Sequence, residues 1–160
     1  RDCEQKKQQM TGIALADAND SESDTGWNLM SAVSVEKVIA AGFLTQLDEY
    51  DVFLDSGANI SLWKDMRILD QVHDGAPMST RGISGNFTVT QRGTLPGFFE
   101  ISGGSQAIGN ILSLSQVEDH VSRIDYEKGQ YYRVWVSDSY YIEFRRRYGV
   151  YIGNLREYLK

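Results

Sequence analysis

Asp51-Val52-Phe53-Leu54-Asp55-Ser56-Gly57-Ala58 is the stretch on which the reading of this chain turns. An apolar run stopped abruptly by Ser-Gly reads as a short buried strand feeding a turn. The strand fixes the backbone of Asp55. The Ser56 hydroxyl can bond neighbouring backbone groups, and Gly57 lets the chain approach a ligand or partner closely.

A carboxylate held this way suits one chemistry in particular. Two such groups share one proton, because like charges about 3 Å apart cannot both ionise, and together they activate a water for attack on a peptide carbonyl. The pattern Asp-[Ser/Thr]-Gly also arises by chance in roughly one chain in fifteen of this size, so a plain turn is the competing reading. The chain carries its own control in Asp24-Thr25-Gly26. The residues before it, Asn19-Asp20-Ser21-Glu22-Ser23, cannot form a buried strand, and Asp24 lies 31 residues before Asp55, too close for each to centre its own lobe. Asp24 is read as a decoy and Asp55 as the candidate.

Working outward, Arg1 to Asp24 is polar and ends in four acids with no base between Asp17 and Asp24, a composition expected of a disordered linker. Val33 to Leu47 fits a strand or a short helix equally well. Beyond Ala58, short strands punctuated by glycines are expected at 87–91, 97–101 and 111–114. Residues 121–154 hold nine of the eighteen aromatics, and Val134-Trp135-Val136 between turn signals predicts an aromatic hairpin or meander. The fold class predicted is mainly β.

Composition narrows the chemistry further. A chain of 160 residues suits one domain with tails, and its net charge of −6 gives no overall basic field for nucleic acid. The single cysteine, Cys3, forbids an internal disulfide or a cysteine zinc site within the chain. His73 and His120 are the only histidines, so metal hydrolysis and Ser-His catalysis lose their usual groups, and carboxylate chemistry remains. His73, beside Asp74-Gly75, reads as an exposed turn residue, as does His120. Arg145-Arg146-Arg147 reads as a solvated strand edge that discourages sheet pairing. No apolar stretch approaches the roughly 18 residues of a membrane span. The start at Arg1, with no initiator Met and no signal region, reads as a fragment or a processed product of something longer.

Two further motifs follow in order. Arg81-Gly82-Ile83-Ser84-Gly85 before Phe87-Thr88-Val89-Thr90 reads as a glycine-rich hairpin tip, and Ala107-Ile108-Gly109-Asn110-Ile111-Leu112 sets a glycine between apolar pairs. Over about residues 50–118 this order resembles a retropepsin, the aspartic protease of retroviruses and LTR retrotransposons. That family runs from apolar-apolar-Asp-[Ser/Thr]-Gly-Ala, through a Gly-Ile-Gly-Gly-like flap, to apolar-apolar-Gly-Arg-Asn-apolar-Leu. The motif Arg is missing between Gly109 and Asn110, and the acid that pairs with it in retroviral members is replaced by Asn59, so both halves of that ion pair are absent together. Ser84 stands where the family has a second flap glycine.

The flanks resemble copia-type elements. Ile111 to Val117 is similar to the stretch leading out of their protease region, and Arg145 to Gly153 to the start of the segment before their integrase. Arg1-Asp2-Cys3 resembles the last ligand of a Gag zinc knuckle, whose other ligands would precede residue 1. The domain expectations are therefore 1–26 as an acidic disordered linker after a zinc knuckle, 27–118 as a retropepsin-like domain, and 119–160 as a β-hairpin extension toward a pre-integrase segment.

The resemblance implies a closed β-barrel with a flap hairpin and an aspartic endopeptidase that cleaves its own Gag-Pol polyprotein. It implies a homodimer with one catalytic Asp55 per chain, Ser56, Gly57 and Ala58 as active-site support, and Gly82, Ile83, Ser84, Gly85, Ile108 and Gly109 as flap and substrate-binding residues. It calls for no cofactor, metal or membrane, makes nucleic acid an unexpected partner for this fragment, and places the protein in a cytoplasmic virus-like particle. The alternative is a catalytically inactive or co-opted retroelement domain kept for dimerisation or RNA packaging.

Overall fold

The structure, a computed structural model, describes residues 28–29, 33–42, 47–82 and 85–160. Asp24, the rest of the acidic linker, Cys3, Ile83 and Ser84 lie outside the described residues. The expected mainly-β class is what the chain forms: the described residues hold eleven strands in one sheet, with two short helices and a 3-10 turn at Met66–Ile68.

In sequence order the strands are β1 (Asn28–Leu29), β2 (Asp51–Asp55), β3 (Leu62–Trp63), β4 (Asp70–Gly82), β5 (Gly85–Thr94), β6 (Glu100–Gly103), β7 (Ile111–Ser113), β8 (Arg123–Glu127), β9 (Tyr131–Trp135), β10 (Tyr141–Arg147) and β11 (Val150–Asn154). The helices are α1 (Val33–Ala40) and α2 (Leu114–His120). Across the sheet the order is β1-β4-β5-β6-β3-β7-β2-β11-β10-β9-β8. This ladder has two ends, β1 and β8, so among the described residues it is an open sheet and not the closed hydrogen-bonded barrel expected.

The apolar run of β2 makes sense of its central place. Val52, Phe53 and Leu54 are all buried. Val52 and Leu54 join a core with Trp63, Leu112, Val117, Ile142 and Phe144, while Phe53 joins a second with Val35, Val38, Leu62, Ile111 and Val150. Alternate residues of a strand point to opposite faces, so an unbroken apolar run needs cover on both. Much of the cover on the second face comes from α1, where the ambiguity of Val33 to Leu47 resolves as a helix over Val33–Ala40. Val35, Val38 and Ile39 recur at helical spacing and pack together, leaving Lys37 and Ala40 exposed.

Two other expectations change. The strand expected over 97–101 begins only at Glu100, because Leu95-Pro96-Gly97-Phe98 forms a turn closed by the Phe98 N–H donating to the Leu95 carbonyl at 2.8 Å. Pro96 presets the first central position and Gly97 takes the positive φ of +78° that the second requires. The strand expected over 111–114 ends at Ser113, which caps α2. The aromatic tail takes the meander form of the expected hairpin or meander: four antiparallel strands, β8 to β11, the last of which pairs with β2 from Tyr151↔Leu54 to Asn154↔Asp51. Val134, Ile142, Phe144 and Leu155 share the first core with Val52 and Leu54, so residues 119–160 are built into the same sheet as the Asp55 strand.

Candidate active site

Asp55 ends β2 and is 2% exposed. Its Oδ1 accepts the Gly57 N–H at 2.8 Å, the local bond by which an Asp side chain closes a turn on its own backbone. Ser56 and Gly57 are exposed on the outside of that turn, and Ala58 returns to the core. The burial alternates because the chain rises over the sheet edge and comes back.

The topology explains why it must. β2 and β7 run parallel, with Phe53↔Ile111, Leu54↔Leu112 and Asp55↔Ser113 in register, and β3 lies on the far side of β7. Residues 56–61 therefore bridge from β2 to β3 past the carboxyl end of β7. Three hydrogen bonds tie this bridge to what lies there. The Ser113 N–H donates to Ser61 Oγ at 2.9 Å, the Ser113 hydroxyl donates to the Ala58 carbonyl at 2.8 Å, and the Ser61 N–H donates to Gln116 Oε1 at 2.7 Å.

A second anchor grips the other end of β2. Asn110 is buried and uses its whole amide. Its Oδ1 accepts the N–H groups of Lys64 and Asp65 at 3.0 and 3.1 Å, and its Nδ2 donates to the carbonyls of Glu49 and Asp51 at 3.1 and 3.3 Å. Its own carbonyl accepts the Phe53 N–H at 2.9 Å. A neutral amide thus joins the β2 entry to the segment after β3. Asp65, beside this anchor, is held below the ordinary carboxylate range chiefly by the Arg67 guanidinium.

The other expected site residues fall into two groups. Ala58 and Ile108 belong to one apolar cluster with Ala107, Met78, Phe87 and Val89, so the underside of the Asp55 bridge packs with the β4–β5 hairpin. Gly109 is half-buried; a Cβ there would meet Ile39 Cδ1 at 3.4 Å and Phe53 Cε2 at 3.8 Å, and it sits under α1. Gly82 and Gly85 are register partners at the far end of the hairpin, and Gly85 has a φ of +118° with nothing near its Cβ position. Before Gln91, toward the hairpin tip, β5 pairs among the described residues only with β4, while β1 lines the outer side of β4 at Thr80 and Arg81. A cavity of about 240 Å³, lined by Glu49, Tyr50, Arg67, Ile68 and Leu159, opens at the opposite end of β2 from Asp55.

Ser61, Asn110, Ser113 and Gln116 are site-shaping residues that motif reading passed over as candidates. Asn110 was visible as a polar residue between apolar pairs. Ser113 and Gln116 sat in a Ser-Leu-Ser-Gln run whose helix-capping spacing is a legible signal. Among the described residues no group of three or more His, Cys, Asp or Glu is arranged to hold a metal, and no helix is long and apolar enough to cross a membrane. Searches against protein-family models, curated proteins and solved structures find no match to this chain.

Proposed function

We propose that this chain is an aspartic endopeptidase of the retropepsin kind, processing a Gag-Pol-type polyprotein of a copia-type LTR retrotransposon and working as a homodimer. The observation that carries the reading is Asp55: a carboxylate at the end of a core strand, closed on the Gly57 N–H, in a bridge held over the neighbouring parallel strand. A carboxylate used only for a surface turn has no need of a buried strand on one side and a hydrogen-bonded clamp on the other.

Among the described residues one chain supplies one such group, so the reaction needs the partner subunit's Asp55. With one carboxylate ionised and the other protonated, the ionised group takes a proton from water as its oxygen bonds to the scissile carbonyl carbon. The protonated group gives its proton to the carbonyl oxygen. Collapse of the tetrahedral species then breaks the C–N bond, and the amine leaves with a proton from the dyad. The rate is bell-shaped in pH with an acidic optimum, its two limbs belonging to the pair. In this reading exposed Gly57 meets substrate backbone, Ile108 lines a side-chain subsite, and the hairpin ending at Gly82 and Gly85 closes over the substrate as a flap.

The test is self-cleavage of a longer precursor, with pepstatin sensitivity of the purified protein on a peptide series. Asp55→Asn stops cleavage while circular dichroism stays unchanged, and Asp24→Asn leaves the rate within about twofold. Equal loss from both substitutions refutes the assignment. A folded, dimeric protein with no hydrolysis supports instead an inactive or co-opted dimerisation module.

A further inference from the structure

We propose that Ser113 and Gln116 are positioning residues that hold the Asp55 bridge in its working shape, so that the Ser-Leu-Ser-Gln run at 113–116 belongs to the active site and is not merely an exit from it. The inference rests on reading Asp55 as the catalytic carboxylate. Its substance is the chemistry of one hydroxyl. Ser113 is fully buried and sits in register with Asp55. Its single proton goes to the Ala58 carbonyl at 2.8 Å. The contact between the Ser113 and Ser115 hydroxyls at 2.9 Å must then have Ser115 as donor, and the Gln116 N–H donates to the same Ser113 oxygen at 3.3 Å. A hydroxyl has one donor and two acceptor sites, so Ser113 is saturated and its rotation fixed.

Ser113 and Gln116 also close the clamp from the other direction. The Ser113 N–H reaches Ser61 Oγ, and Gln116 Oε1 receives the Ser61 N–H. The bridge is therefore held at Ala58 and at Ser61, both buried, while Ser56 and Gly57 between Asp55 and Ala58 stay exposed. This is the arrangement a substrate-facing loop needs: a free outer edge and a fixed base. Ser113 also caps α2, so the helix start and the bridge are set by one side chain. Displacing a catalytic group by about 1 Å can cost on the order of 100-fold in rate.

The experiment compares Ser113→Ala, Gln116→Met and Gln116→Glu with the wild-type chain, at protein concentrations that saturate the dimer. Peptide-hydrolysis kinetics and amide hydrogen exchange are read together. Gln116→Met and Ser113→Ala are expected to lower kcat by about 10- to 100-fold with KM within about threefold. Exchange at Ala58 to Ser61 should quicken while the Phe53 amide keeps its protection. Gln116→Glu keeps an acceptor for the Ser61 N–H and is expected to restore both readouts; a merely space-filling role would not distinguish it from Met. Unchanged exchange in the bridge overturns the proposal, and so does faster exchange with an unaltered kcat. If the wild-type protein hydrolyses no peptide, the endopeptidase reading fails, and the exchange data alone decide whether the clamp exists.

Discussion

Asp55 and Ser113 are register partners at the carboxyl ends of two parallel strands. Parallel neighbours end on the same edge of a sheet, so whatever leaves β2 and whatever leaves β7 must share space there. The bridge 56–61 leaves the first and α2 leaves the second. Substitutions in 110–116, more than fifty residues downstream, are thus expected to act directly on the Asp55 segment.

Asn110→Ala is expected to lower stability by about 1–3 kcal/mol, because two part-buried bonds from the Lys64 and Asp65 N–H groups lose their acceptor. Asn110→Asp keeps an acceptor but can no longer donate to the Glu49 and Asp51 carbonyls while ionised, so at neutral pH it is also destabilised. Urea denaturation of both variants checks this, and midpoints equal to wild type would show that the anchor contributes nothing.

Much of this arrangement could be read from residues alone. The run Val52 to Leu54 announced a buried strand, which is what β2 is; the contrast drawn between Asp24 and Asp55 is left to the substitutions, since Asp24 lies outside the described residues. Val33 to Leu47 stayed open because Val33, Val35, Val38 and Ile39 favour a strand while Ala-Ala and Glu36-Lys37 favour a short helix; packing of Val35, Val38 and Ile39 in one cluster with Phe53 and Val150 decided it. Ser113 was not legible as part of the site because its partners, Ala58 and Ser61, are set by the crossing of the bridge past β7. Local pattern does not encode which strand a loop passes.

A chain ending at residue 118 is expected not to fold. It would lose β11, which pairs with β2 through four register positions, and with it Val134, Ile142, Phe144 and Leu155 from the core around Val52 and Leu54. The Leu155 N–H bond to the Tyr50 carbonyl at 2.9 Å would go too. Circular dichroism and a thermal melt of the truncated protein test this; a cooperative transition near that of the full chain would mean the meander is dispensable.

Two glycines should fail for different reasons. At Gly103 an added Cβ would lie 2.2 Å from the Trp63 carbonyl oxygen and 2.6 Å from Met66 Sδ, so Gly103→Ala must shift β3 and is expected to cost about 1–3 kcal/mol of stability. At Gly85 there is room, but φ is +118°, where a β-branched residue is strained. Gly85→Val is therefore expected to distort the end of the hairpin with the core intact. In the flap reading it raises KM and lowers kcat at nearly unchanged melting temperature. Kinetics and melts together separate the two, and wild-type kinetics for Gly85→Val would remove the flap assignment.

The last prediction concerns the outer meander. Asp125 accepts two bonds from Arg123, at 3.0 and 2.9 Å, and one from the Trp135 indole N–H at 3.0 Å. Those partners, Arg123 first and Trp135 second, hold the Asp125 carboxyl below its ordinary value. A carboxylate whose folded pKa is depressed adds stability that is present above its unfolded value, near 3.9, and is lost as pH falls through the lower folded value. Arg123 also lies over the Trp135 ring at 4.4 Å, so protonating Asp125 loosens an indole contact as well as an ion pair. Asp125→Asn keeps an acceptor for the indole N–H but carries no charge at any pH. The stability difference between wild type and Asp125→Asn is expected to be constant from about pH 5 to 8 and to shrink below about pH 4. The site is at the surface, so the difference is small and should weaken with added salt. Urea midpoints across pH, followed by tryptophan emission, measure it; a difference that persists unchanged well below pH 3 would mean the Asp125 charge is not what the Arg123–Trp135 pair responds to.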